Sequence, residues 1–256
     1  MTINGIIFDF GFTLFYFDNP SVERYNECFK KGLIKSIELL KEKKIWNENL
    51  SEEYFVQKFT KEKALSWREV FKTKKEFPTS SLYKKIIESL YEENLTDNID
   101  HLTEDIYDDL ADIYHSFEMD EWKPFPKTKE TLEKLSQHKD LKLGVLSNHP
   151  SRNMVKNALK KYQLFKYFDA VVTSAEIGKR KPDPETFFYT LKKMGLIENS
   201  DCLVCGDEYS DIVGGDRAGM QTILCERIYK FPYEREINVP NVMRINDISE
   251  VLNYLT

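Results

Sequence analysis

From about residue 120 onward, short apolar runs alternate with stretches whose apolar residues recur at helical spacing. The runs 141–146, 168–172, 202–205, 222–224 and 242–245 read as strands, and 152–162, 184–194, 212–218 and 248–255 as helices. A strand followed by a helical crossover returns to its sheet parallel to where it left. The pattern therefore predicts an α/β fold, a doubly wound parallel sheet, with the apolar run 3–8 as a further strand.

Between Phe15 and Trp122 the pattern changes. The segment is rich in Lys, Glu and aromatic residues, and Ile106, Leu110, Ile113, Tyr114 and Phe117 form one apolar stripe at helical spacing. A block of about 100 residues without strand signals, placed after the first strand, reads as an inserted all-helical domain. The expected division is an α/β core from 1–15 and 123–256 and a helical cap from 16–122. The prolines of Lys123-Pro124-Phe125-Pro126 favour extended backbone and suit a return linker.

Composition narrows the function. A formal net charge of -6 argues against a nucleic-acid partner, and the lysine runs 41–44 and 72–75 are interleaved with or flanked by acids, as on solvated helix faces. No apolar run is long enough to cross a bilayer, and the N-terminal run carries Asp9 where a leader would need a cleavage site, so a cytoplasmic protein is expected. Four cysteines make no disulfide framework. Cys202 and Cys205 spell C-x-x-C inside a strand, where a separation of three points them to opposite faces, so they read as core.

Four loops that follow strands carry polar residues suited to chemistry. In Ile6-Ile7-Phe8-Asp9-Phe10-Gly11-Phe12-Thr13-Leu14 an apolar run ends on a carboxylate, a candidate nucleophile or metal ligand, though an ordinary turn residue or helix cap looks the same. Leu146-Ser147-Asn148-His149-Pro150 places a hydroxyl and backbone amides where a phosphate oxygen would sit, or merely caps a helix. Gly178-Lys179-Arg180-Lys181-Pro182-Asp183-Pro184 constrains the direction of a lysine that could neutralise a carboxylate and a phosphoryl group. Gly206-Asp207-Glu208-Tyr209-Ser210-Asp211 adds two aspartates. Converging with Asp9 they would repel one another unless a cation joined them, and oxygen ligands suit Mg²⁺.

These four loops, in this order, resemble the four motifs of the haloacid dehalogenase (HAD) superfamily, mostly Mg²⁺-dependent phosphohydrolases built on a Rossmann-like core. The likeness covers essentially the whole chain, with the helical segment matching the cap many members insert after the first motif. It implies a phosphatase acting on a small phosphorylated metabolite through an aspartyl-phosphate. Asp9 would be the nucleophile, Thr13 the support of its loop and Ser147 a ligand of the phosphoryl oxygens, with Asn148 beside it. Lys181 would neutralise charge, and Asp9, Asp207, Asp211 and the Gly11 carbonyl would hold the metal.

Gly11 departs from that pattern, because most such phosphatases carry there a second aspartate that protonates the leaving group. Phe12 departs too, standing where the family often has glycine. The resemblance leaves two alternatives open: carbon–halogen or carbon–phosphorus cleavage, the latter with a cap lysine as Schiff base, and a binding or regulatory protein with weak turnover. Nothing in the cap sequence names the substrate. His149 reads as a loop cap in preference to a substrate ligand.

Overall fold

The computed structural model describes residues 3–18, 20–96, 99, 102–197, 201–227 and 235–255. Six parallel strands form the main sheet: β1 (Gly5–Phe8), β4 (Lys142–Ser147), β5 (Ala170–Thr173), β6 (Cys202–Gly206), β7 (Gln221–Cys225) and β8 (Met243–Ile245), in the order β5-β4-β1-β6-β7-β8. β1 lies at the centre, with Phe8 paired to Val145 on one side and Cys205 on the other. The chain winds outward from β4 to β5, then returns to the other flank of β1 at β6. That reversal opens a crevice at the carboxyl ends of β1, β4 and β6, the place where open α/β sheets bind ligands.

Side chains alternate across these strands, so each face has its own apolar layer. Ile6, Phe8, Val145 and Cys205 pack with α5 (Thr128–Leu135), α6 (Met154–Lys161) and the closing turns Ile248–Tyr254. Ile7, Leu146, Cys202 and Val204 pack against Phe187, Leu191 and Met194 of α8 (Pro184–Met194). Cys202 and Cys205 thus face opposite layers, and all four cysteines are buried. The short α7 (Ser174–Ile177) and α9 (Tyr209–Arg217) complete the crossovers. The bounds of α8 follow from local chemistry: Asp183 caps Glu185 N–H at 3.0 Å, Pro184 opens the helix and Gly195 closes it at φ 78°.

Among the described residues the intervening segment holds four helices, α1 (Val22–Glu42), α2 (Glu52–Thr73), α3 (Thr79–Glu92) and α4 (Glu104–Glu121). Ile37, Phe55, Phe59, Tyr83 and Leu110 form an apolar cluster of their own. Its two connections to the sheet pair with each other as an antiparallel ribbon, β2 (Phe15–Phe17) against β3 (Trp122–Pro124). The proposed boundary between core and cap therefore runs through a ribbon in place of the expected linker.

A second attachment lies between α2 and α3. Glu76 N–H donates to the Gly178 carbonyl at 2.9 Å and Thr79 N–H to that of Pro150 at 2.9 Å. The Glu76 carboxylate accepts from Ser174 and pairs with Arg180. Beside it lies a buried cluster: Glu118 accepts from His115 Nδ1 at 2.8 Å and pairs with His149 Nε2 at 3.4 Å, while His115 Nε2 meets Thr79 Oγ1 at 2.9 Å. His149 Nδ1 accepts from Ser151 N–H at 3.0 Å, so His149 does cap its own loop.

Burial pulls the His115 imidazolium down to about 4 from the ordinary 6.5, although Glu118 opposes it. The folded chain refuses a proton that the unfolded chain accepts, so stability should fall as pH drops from about 6.5 toward 4. Burial works against ionised Glu118 too, yet the attraction of His149 and the imidazole hydrogen bonds hold its carboxyl below the usual range. Glu118→Ala leaves the buried His115 Nδ1–H without its acceptor and should cost about 1–3 kcal/mol in urea unfolding. A change below about 0.5 kcal/mol would show that the cluster contributes nothing to docking.

Candidate active site

Lys181 organises the crevice. Its ammonium donates to Asp9 Oδ1 at 2.6 Å, Asp211 Oδ1 at 2.6 Å and the Leu146 carbonyl at 2.8 Å, which uses all three of its protons. The loop that carries it is held by Asn148, whose Oδ1 accepts from Lys181 N–H at 2.8 Å and whose Nδ2 donates to the Lys181 carbonyl at 3.1 Å. Asn148, expected beside the substrate, spends its amide on aiming the lysine, though it also lines the cavity described below.

The aspartates converge as expected. Oxygens of Asp9, Asp207 and Asp211 lie within 4.8 Å of one another, and all three residues are buried. Gly206 permits this, since a Cβ there would stand 2.3 Å from Asp211 Cβ. Burial pushes each carboxyl above its ordinary range; Lys181 opposes this at Asp9 and Asp211, while Asp207 is raised further by its neighbouring carboxylates. Burial alone would lower Lys181, but Asp211 and Asp9 raise it. A cluster with more carboxylate than counter-charge, offering only oxygen, is fitted to a hard divalent cation.

Ser147 ends β4 opposite Thr173, and Thr13 Oγ1 lies 3.4 Å from Asp207 Oδ1, a long contact. Gly11 sits under Trp122, so that an added Cβ would come within 2.9 Å of the indole Cη2. Trp122 meets Phe10, Phe12 and Phe17 edge-on, with ring centroids 5.1–5.5 Å apart. Where the resemblance leads one to expect an acid, the chain places an indole. Phe12 takes φ 59°, the left-handed conformation that glycine adopts freely, and its ring packs on Trp122.

Beyond Asp207 opens a cavity of about 970 Å³. Trp67 and Phe71 of α2 and Lys74 just past its end line it, with Arg180, Arg235, Arg244, Glu208, Glu226 and Glu236. The lining is mixed, six basic and four acidic residues, and this modest excess of positive charge in a chain of net charge -6 suits an anionic ligand. Lys63 lies instead on a small cavity of about 70 Å³, bonded to Tyr114 Oη at 2.7 Å and packed over Phe29; burial pulls it down to about 8. Sequence reasoning did not single out Trp122, Glu118, Glu76 or Arg227, the last of which pairs with Asp207.

Residues 6–225 match the sequence profile of haloacid dehalogenase-like hydrolases. A phosphoglycolate phosphatase of Aquifex aeolicus is 38% identical over 102 residues, 40% of this chain and 46% of that protein. A glyceraldehyde 3-phosphate phosphatase of Methanothermobacter thermautotrophicus is 34% identical over 111 residues, 43% of this chain and 48% of that protein. The match thus spans about half the length of these relatives. A pyrophosphatase PpaX of Bacillus cereus is 29% identical over 174 residues, 68% of this chain and 73% of that protein. The fold is shared with a 2-haloacid dehalogenase from Pseudomonas syringae pv. Tomato DC3000, at TM-score 0.58 and 21% identity over 99% of this chain and 98% of that one. It is shared equally with a HAD phosphatase from Thermococcus onnurineus, at TM-score 0.56 and 20% identity over 99% and 98%. No helix among the described residues is long and apolar enough to cross a membrane.

Proposed function

The chain belongs to the haloacid dehalogenase-like hydrolases, and from that premise we propose that it is a phosphatase acting on a small phosphorylated metabolite through an aspartyl-phosphate. The observation that carries this reading is the lysine bridging Asp9 and Asp211 beside a third carboxylate. The Asp9 carboxylate attacks phosphorus, and the bond from phosphorus to the leaving oxygen breaks with its electron pair departing on that oxygen. Water then attacks the same phosphorus, releasing inorganic phosphate and restoring the carboxylate. Lys181 fixes the direction of Asp9 and offsets charge as the phosphoryl group approaches. Ser147, at the end of β4, would receive phosphoryl oxygens, and Thr13 would support the loop that carries Asp9.

Asp9, Asp207, Asp211 and the Gly11 carbonyl would hold Mg²⁺, which when bound neutralises and orients the phosphoryl oxygens. The titratable cluster supports a divalent ion, and the phosphatase-named relatives support the reaction class. The test is release of phosphate from p-nitrophenyl phosphate and acetyl phosphate, with 2-haloacids and phosphonates in parallel. Phosphate release should vanish with EDTA, return with Mg²⁺, and fall about 10²-fold or more in Asp207→Ala. Metal-independent halide release, with no phosphate release, would overturn the proposal in favour of a dehalogenase.

A further inference from the structure

Arg227 occupies a position that the catalytic reading does not explain. β7 ends at Cys225, next to β6, and Glu226 is anchored by its N–H to the Ile245 carbonyl at 2.8 Å. One residue on, the Arg227 guanidinium grips Asp207 at two points. Nε lies 2.8 Å from Oδ2, and an Nη donates to the Asp207 main-chain carbonyl at 3.2 Å. Its side chain is 9% exposed, and its guanidinium lies over the Phe12 ring at 5.9 Å, against the loop that follows Asp9.

The division of labour between the two cations is complementary. Lys181 spends its three protons on Asp9, Asp211 and Leu146, so Asp207 is the carboxylate it does not serve. Arg227 serves that one. With all five groups ionised, three aspartates face two cations. A divalent ion at Asp207 meets a carboxylate whose Oδ2 is already engaged by a guanidinium, with Oδ1 held only by the long Thr13 contact, and a guanidinium cannot relieve the repulsion by shedding its proton. An ion on Oδ1 therefore has Arg227 as a like charge across the same carboxylate, and an ion on Oδ2 displaces it. Either course weakens metal binding by the free protein. An anionic substrate removes the excess positive charge, so metal and anion reinforce each other.

We infer that Arg227 is a resident counter-cation of Asp207 that competes with the metal and makes metal binding depend on the anion. It is a positioning residue that sets occupancy and takes no part in bond making. The inference rests on Asp207 being a metal ligand, as proposed above, and its test needs no turnover.

Mg²⁺ is titrated calorimetrically into the whole protein, as wild type, Arg227→Gln and Arg227→Lys, first without and then with inorganic phosphate. Arg227→Gln should bind Mg²⁺ about tenfold tighter or more in the absence of phosphate. Phosphate should tighten Mg²⁺ binding to the wild type by a larger factor than in Arg227→Gln. Arg227→Lys keeps the charge and loses the two-point grip, so it should fall between the two. If Arg227→Gln does not fold, judged by circular dichroism, Arg227→Lys decides alone, with binding about threefold tighter expected. Metal binding that is unchanged or weaker in the folded variants overturns the inference and leaves the metal assignment standing. Absence of Mg²⁺ binding in the wild type and in every variant overturns both together.

Discussion

Asp9→Asn should lower turnover by about 10⁴-fold or more while leaving the melting temperature no lower than that of the parent. A carboxamide oxygen still accepts from Lys181, now 2.6 Å from Asp9 Oδ1, but it cannot attack phosphorus and be regenerated. Burial disfavours the charged form of Asp9, so neutralising it removes a cost of folding, and Lys181 keeps Asp211 as its partner. Loss of activity without loss of stability separates a chemical role from a structural one. Rapid quenching should trap phosphorylated wild-type protein and none of the variant. Residual turnover within about tenfold of the parent would remove Asp9 as nucleophile.

The parts of this molecule legible in its sequence are those specified locally. The start and end of α8 could be read because Asp183, Pro184 and Gly195 act within one turn of the helix they bound. α9 begins at Tyr209, earlier than its apolar spacing suggested, because its first turn is built from the polar residues of the loop that follows β6. The ribbon of β2 and β3 was hidden, since three-residue strands have no periodicity and their partners lie more than 100 residues apart. Side chains at strand ends could be assigned to the site from one principle of sheet topology, without knowing which would touch. Which ones touch is another matter. Nothing near Glu76 announces Arg180, nothing near Glu118 announces His149, and the Arg227 grip on Asp207 depends on β6 and β7 being neighbours. Such charged contacts are products of tertiary packing, and a single sequence shows them only as ordinary surface charges.

With an indole standing over Gly11, turnover should depend steeply on the leaving group. Acyl and aryl phosphates are expected to be cleaved about 10²–10⁴-fold faster than alkyl phosphates, the usual worth of a missing general acid. A carboxylate or phenolate departs unprotonated, whereas an alkoxide needs a proton that position 11 cannot donate. Adding the carboxylate back does not follow simply from the sequence comparison. In Gly11→Asp the new Cβ would stand 2.9 Å from Trp122 Cη2, and Trp122 is wedged among Phe10, Phe12 and Phe17. That variant alone should lose stability and keep the steep dependence. Paired with Trp122→Leu, which opens the space, the dependence should flatten. The measurement is log kcat/KM against leaving-group pKa for a series of phosphate esters. Equal rates across the series in the natural protein would overturn the argument and call for a proton donor elsewhere in the crevice, Glu208 being the first to test. That exposed carboxylate lines the large cavity and accepts a hydrogen bond from the Ser210 hydroxyl at 2.6 Å.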